Sequence, residues 1–226
     1  MSSADFQDGT GSRTVSLREA LRDKEHTLLL VVDVQNDFCH PDGVCGQAGG
    51  YPVEKTHASV ERVSELLAAA RGNGLPVMHA RLRVDWSQED QNWLDRLLRL
   101  RQPNLCSPES FGEAPYAGAE EAAGEPVLYK RRFSAFWQTG LAEQLREQGI
   151  KRIIFCGVAT NICVQASACD AFMDGFQVFF VSDASAAYSD EGHDAALTLI
   201  DLAYGDIVAT EEVVGALSDA EATASA

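Results

Sequence analysis

The sequence predicts an α/β three-layer sandwich built on a six-stranded, mainly parallel sheet with right-handed crossovers. Three observations carry this. Apolar runs alternate with amphipathic stretches along most of the 226 residues. The principal runs are apolar throughout rather than at every second residue, the pattern of strands buried on both faces. Three helical stretches close on a glycine one or two residues before the next apolar run, at Gly74, Gly149 and Gly175.

Taken in order, residues 27–33 (TLLLVVD) form the first strand, an aliphatic run ending in a carboxylate. An amphipathic helix over 60–71 precedes the second strand, 75–81 (LPVMHAR), and a short third strand follows at 126–130 (PVLYK). A helix at 141–148 leads into 152–157 (RIIFCG), and a helix at 162–174 leads into 176–183 (FQVFFVSD). A helix over 192–203 and a short last strand at 207–209 complete the alternation. Residues 86–124 break the rhythm with a helix at 91–101 and then a loop rich in Pro, Gly and Ala. Insertions of this length serve as covers or contact surfaces, and the stripe in LDRLLRLR (94–101) suits either a neighbouring subunit or the home domain. The expected organisation is a polar extension over 1–26, one domain over 27–217 and a disordered Ala/Ser/Thr-rich tail over 218–226.

Thirty-four acidic against 18 basic residues give a net charge of −16. Such a field repels nucleic-acid phosphates and anionic lipid headgroups, so neither is an expected partner, and it favours solubility. The longest aliphatic run falls far short of the ~20 residues that span a bilayer, and the first residues lack the basic and apolar regions of a signal peptide. Six cysteines (39, 45, 106, 156, 163, 169) form no C-x-x-C pair and read as reduced thiols of a cytoplasmic protein.

Ligands of an open parallel sheet bind beyond the carboxyl ends of its strands. Asp33 closes the first strand, Lys130 closes the third, and Cys163 follows the fourth at the start of its helix. A thiol of pKa ~8.5 attacks only as thiolate. A helix N-terminus and a neighbouring ammonium favour that thiolate, and a carboxylate in reach can take its proton and return it to a leaving group. Singly, each residue has an ordinary explanation: a turn cap, a solvated basic run with Arg131 and Arg132, a packed thiol. Together at one edge they read as a catalytic site.

The segments VVDVQNDF (31–38), YKRRFSAFWQTGL (129–141) and GVATNICVQASACDAFMDGF (157–176) resemble the isochorismatase-like cysteine hydrolase superfamily over about residues 27–217. That group includes nicotinamidases, N-carbamoylsarcosine amidases, ureidoacrylate amidohydrolases and biuret hydrolases. The resemblance implies an Asp33–Lys130–Cys163 triad. It also implies a cis peptide between Val158 and Ala159 that turns the amides of Ala159 and Cys163 into an oxyanion hole. The nucleophile position is cysteine, which implies covalent hydrolysis of a small amide or ureide rather than cleavage of a vinyl ether. The ATNICV segment and the ending HDAALTLIDLAYGDIVATEEV look most like the carbamoyl-cleaving branch, with a nicotinamidase-like carboxamide hydrolase as the alternative.

Nicotinamidases carry a metal on an Asp-x-His pair and a further His. The matching stretch here, VDWSQED, has Ser in place of that His, so no metal and no cofactor are expected. His40 and His79 are expected to be satisfied polar residues of the rim or core. Phe38, Trp86 and Phe136 are the expected aromatic walls for a flat substrate, with Arg131 or Arg132 as a candidate carboxylate clamp and solvation as its ordinary alternative. The resemblance further implies a homodimer or homotetramer. A fold of this type can also lose its chemistry and persist as a binding or scaffold protein; the presence of all three triad residues argues against that.

Overall fold

The computed structural model describes residues 14–224 and contains one sheet of six strands in the order β3-β2-β1-β4-β5-β6, every pairing parallel. The strands are β1 (Thr27–Val32), β2 (Val77–Leu82), β3 (Val127–Lys130), β4 (Arg152–Val158), β5 (Gln177–Ala186) and β6 (Asp206–Val208). All six expected strands are present with ends shifted by a few residues at most. The central β1, β2 and β4 are buried almost end to end, as their apolar runs require, whereas β3 and β6 are half-exposed edges.

Helices flank both faces: α1 (Leu17–Arg22), α2 (Asn36–Cys39), α3 (Val44–Gln47), α4 (Glu54–Gly72), α5 (Gln91–Arg99), α6 (Leu141–Glu147), α7 (Gln165–Met173), α8 (Asp190–Ala203) and α9 (Thr210–Ala224). Alternate residues of β1 feed two cores. Leu29 and Val31 pack with Val63, Leu66 and Leu67 of α4 and Leu217 of α9. Leu28, Leu30 and Val32 pack on the other face with Leu145 of α6, Ala168 of α7 and Ile200 of α8. No helix among the described residues is long and apolar enough to cross a membrane.

Two boundaries differ from the sequence reading. Residues 1–13 of the expected extension lie outside the described residues, but α1 is a folded part of the domain. Ser16 and Glu19 close a reciprocal capping box on it, and its Ala20 and Leu21 are fully buried. The expected disordered tail is helical as far as Ala224. Helix α9 buries Val213, Ala216 and Leu217, and Asp219 pairs with Arg18 of α1. The helix begins within the expected domain, where this apolar stripe meets α1 and α4, and it continues through the Ala/Ser/Thr-rich residues.

The insertion folds back on its own domain. Leu97 of α5 is fully buried, as are Leu105 and Cys106 in the loop that follows. Backbone bonds from Asn36 N to Ala114 O (3.0 Å), Asp37 N to Gly112 O (3.1 Å) and Tyr116 N to Val34 O (2.9 Å) stitch the loop to the segment leaving β1. Its far end is held by ions: Glu125 accepts from Arg71 Nε of α4 (2.8 Å) and contacts His79 Nε2 of β2 (3.0 Å).

Burial raises the Glu125 pKa, but Arg71, the Ala122 amide and His79 outweigh it and hold the carboxyl at about 2. Burial keeps His79 below its usual value, with Glu125 opposing. A carboxyl lowered by folding stabilises the native state above its unfolded pKa of ~4.3. That contribution is lost as pH falls through about 2. Glu125→Gln is therefore expected to cost about 1–3 kcal/mol at pH 7. The lowered urea midpoint should approach wild type as the titration is repeated at progressively lower pH.

Candidate active site

The strand order places β1 and β4 side by side, with β2 and β3 continuing to one side and β5 and β6 to the other. The chain thus leaves the two central strands in opposite directions, and a crevice opens between their carboxyl ends. Asp33 follows β1 immediately and adopts φ 51°, a left-handed conformation that Asp tolerates better than most residues. This turn directs the carboxylate sideways, where Oδ1 accepts from Leu82 N at the end of β2 (2.8 Å). Beside it Gly157 of β4, at φ 120°, faces Val32 so closely that a side-chain carbon there would lie 2.0 Å from the Val32 carbonyl oxygen. Glycine is the residue that lets the two strands meet at this height.

Lys130 ends β3. The three residues before it are partly exposed, yet the lysine is fully buried, the reverse of what an edge strand does with a charge. Its ammonium donates to Asp33 Oδ2 (2.7 Å) and to the Arg132 carbonyl (3.1 Å). After β4 the chain passes through a cis peptide at Val158–Ala159 and a wide π-type turn, Thr160–Val164, that carries Cys163 into α7. The Cys163 thiol lies near enough to Asp33 and Lys130 for both to act on its ionisation. Ser167 fixes its base by donating to the Cys163 carbonyl (2.7 Å) while accepting from Ala135 N (2.9 Å). The three residues that the sequence places at one edge therefore converge in one buried cluster.

Burial pushes the Cys163 thiol well above its usual pKa and the Asp33 charge adds to this, with Lys130 opposing, so burial works against the thiolate that a helix terminus and an ammonium favour. Burial also raises Asp33, against the pull of Lys130. Burial pulls Lys130 down, but Asp33 and Cys163 outweigh it and leave the ammonium above its usual value. Sulfur, carboxylate and ammonium thus share one buried site in which burial favours the protonated thiol. Its carboxylate is made more basic by desolvation, so it is suited to receive a proton from sulfur rather than to face a standing thiolate.

The isochorismatase domain profile matches residues 27–212, which spans every strand of the sheet and all three residues of the cluster. The chain belongs to the isochorismatase family. It is 32% identical over 219 residues to a ureidoacrylate amidohydrolase of Methylobacterium radiotolerans, covering 89% of this chain and 84% of that one. It is 34% identical over 190 residues to a maleamate amidohydrolase of Pseudomonas putida, covering 82% and 84%. Its fold superposes on a cysteine hydrolase from Pseudomonas syringae pv. phaseolicola with a TM-score of 0.76 at 25% identity, covering 87% and 94%.

Sequence reasoning passed over two residues that brace this isochorismatase-family site. Gln35 donates from one amide to Leu82 O (2.9 Å) and Glu113 O (2.8 Å), and it shares the Leu82 N–H with Asp33. Asp37, buried, accepts from Val44 N (2.9 Å) and Cys106 N (2.6 Å), and a side-chain carbon on Gly112 would fall 2.1 Å from its carboxylate. Both stand in the quoted segment VVDVQNDF. The available signal was a run of polar residues directly after a fully apolar strand, where only partnered groups can be buried.

The expected aromatic walls separate. Phe136 packs in the same core as Cys163, with its ring 6.0 Å from Phe176, while Phe38 and Trp86 pack in the core on the other face of the sheet. Arg131 and Arg132 are occupied, both bonded to the fully buried Glu89 carboxylate (2.8 and 2.6 Å). His79 lies in β2 against Glu125, and His40 sits at the rim with its ring edge-on to Phe111 at 5.1 Å. At the position of the nicotinamidase Asp-x-His pair, the Ser87 hydroxyl donates to Asp85 Oδ1 (2.7 Å), so these residues do not fit a metal. The one metal-like grouping among the described residues, Asp23, Glu25 and His26, lies before β1 at the opposite edge.

A cavity of about 500 Å³ opens between α5, the loop after β3 and α7, walled by Trp93, Arg132, Trp137, Ala166 and Asp170. A cleft of about 990 Å³ lies instead at the amino ends of β4, β5 and β6, away from the cluster.

Breaking the Asp33–Lys130 pair strands one buried charge. Lys130→Met alone is expected to destabilise by about 3–5 kcal/mol, and adding Asp33→Asn should recover part of that loss. Urea denaturation of the two single variants and the double variant measures it. Simple additivity would show the charges to be uncoupled.

Proposed function

We propose that the protein is a cysteine-dependent amidohydrolase that cleaves a C–N bond of a small amide or ureide through a covalent intermediate. The observation that carries this is the convergence of a neutral thiol, a desolvated carboxylate and an ammonium at the switch point of the sheet. The likeness to a ureidoacrylate amidohydrolase and a maleamate amidohydrolase supports the bond class.

In this mechanism Asp33 takes the Cys163 proton as sulfur attacks the carbonyl carbon, so the thiolate exists only while it is forming the C–S bond. The carbonyl π electrons move to oxygen, which the amides of Ala159 and Cys163 hold. Loss of one such donor costs about 2.7–4 kcal/mol of transition-state stabilisation in comparable sites. The intermediate collapses, the C–N bond breaks, and Asp33 returns the proton to the departing ammonia or amine. A thioester remains from an amide, or a thiocarbamate from a ureide. Asp33 then deprotonates water, which attacks the same carbon and expels sulfur, and the thiol is reprotonated. Lys130 stays charged throughout and balances the carboxylate. Phe136 is the proposed substrate wall; Phe38 and Trp86 are assigned to the core. The 500 Å³ cavity, lined by Ala166 three residues beyond Cys163, is the proposed approach.

Six unpaired cysteines support a cytoplasmic location. A homodimer or homotetramer is the proposed assembly, and the exposed Met173 (77%) and Leu202 (80%) on α7 and α8 offer apolar surface for it. Light scattering after size exclusion is expected to return at least twice 24.4 kDa. A monomer would overturn the assembly.

Ammonia release from N-carbamoyl amino acids, ureidoacrylate, biuret, maleamate and nicotinamide tests the activity. Cys163→Ala is expected to lower turnover of the responsive substrate by at least about 10³-fold while leaving the fold intact. Full activity in that variant would refute the mechanism.

A further inference from the structure

We propose that His193 is a positioning residue for the nucleophile turn, acting through the hydroxyl of Thr160. The inference rests on the catalytic reading above and names a residue of the same site. Thr160 follows Ala159 directly and opens the π-type turn that carries Cys163. It is fully buried, and its Oγ1 lies 3.0 Å from His193 Nδ1. That contact ties the turn to the first coil of α8, an element otherwise remote from the cluster in sequence.

The first coil of α8 is itself held firmly. Ser189 caps it by accepting from Gly192 N (3.1 Å), and His193 N donates to the Ser189 carbonyl (3.1 Å). Lys55 of α4 anchors its start through Asp190 (2.5 Å). The backbone of α8 also presses on the turn: a side-chain carbon on Gly192 would lie 2.7 Å from Asn161 Nδ2. Helix and turn thus meet through a glycine contact and one side-chain hydrogen bond.

The imidazole suits this task in its neutral form. Burial keeps His193 below its usual pKa, with Asp194 and Asp190 of its own helix opposing. A neutral ring protonated on Nε2 accepts the Thr160 proton at Nδ1, which satisfies a buried hydroxyl that would otherwise be stranded. The hydroxyl's orientation then fixes the residue between the Ala159 and Cys163 amides. Effective catalysis depends on such placement, since a misplacement of ~1 Å can cost on the order of 10²-fold in rate.

The test compares His193→Ala, His193→Asn, Thr160→Val and the His193→Ala/Thr160→Val double variant. In turnover of the substrate found above, His193→Ala and Thr160→Val are each expected to lower kcat by at least about tenfold with little change in KM, and the double variant by no more than either single one. His193→Asn, whose amide oxygen can stand near the Nδ1 position, is expected to recover most of kcat. A second measurement needs no substrate: the iodoacetamide labelling rate of Cys163 at pH 8, followed by mass spectrometry with Cys169 as internal reference. The Ala and Val variants are expected to shift the Cys163 rate about threefold or more in the same direction, with His193→Asn near wild type. Should His193→Ala fail to fold, His193→Asn and Thr160→Val decide between the outcomes. A Cys163 labelling rate unchanged in every folded variant would overturn the proposal. If Cys163→Ala retained activity while labelling shifted as expected, the catalytic reading would fail and the positional coupling would stand.

Discussion

The structure depends on a single ion pair that water cannot reach. Lys130 and Asp33 meet at 2.7 Å with neither side chain exposed. Two charges so placed are tolerated only because each has further partners: Leu82 N for the carboxylate, the Arg132 carbonyl for the ammonium. This fixes the relation of β1 to β3 across β2, and it fixes the loop after β3, whose carbonyl the ammonium must find. It also sets the chemistry. A third buried charge beside a balanced pair is costly, which favours the protonated form of the Cys163 sulfur.

Around the pair, the segment from Val34 to Cys39 connects sheet to cover. Gln35, Asn36 and Asp37 are all buried and bonded to main-chain groups of the inserted loop or of the segment leading into α3. A buried polar side chain with a main-chain partner specifies position without demanding any particular side chain opposite. Gly112 is the exception, since the Asp37 carboxylate leaves no room there for a side-chain carbon.

Much of this was legible in the chain. Uninterrupted apolar runs identify the central strands because burial on both faces leaves no polar side, and strand ends in a parallel sheet lie at one edge, which is why Asp33, Lys130 and Cys163 could be brought together on paper. What stayed hidden depends on partners distant in sequence. The thiol's protonation could not be read, because a helix terminus and a nearby lysine argue for a thiolate until complete burial is known. The end of α9 beyond residue 217 looked unstructured because its Ala/Ser/Thr composition carries no apolar stripe of its own, and the helix is held by Val213, Ala216 and Leu217 before it. Asp37 and Gln35 are silent in the sequence, since their partners are amides and carbonyls, which every residue supplies. Phe38 and Trp86 lie near strand ends in sequence, but α2 and the turn after β2 carry them into the core on the other face of the sheet.

The stitching of the inserted loop has a consequence for how such a protein can change over generations. Residues 111–116 are joined to the segment leaving β1 by main-chain bonds from Asn36, Asp37 and Tyr116 and by the Asn36 side chain on the Phe111 carbonyl, so part of the loop's attachment does not depend on which side chains it carries. Outside Gly112 and the bonded side chains of Glu113 and Tyr116, substitution can proceed while those main-chain bonds keep the loop seated. A lineage built on this plan could drift toward new substrates through the cover alone and leave the buried ion pair and its thiol untouched. Divergence in preference and persistence of fold would then proceed at different rates within one short chain.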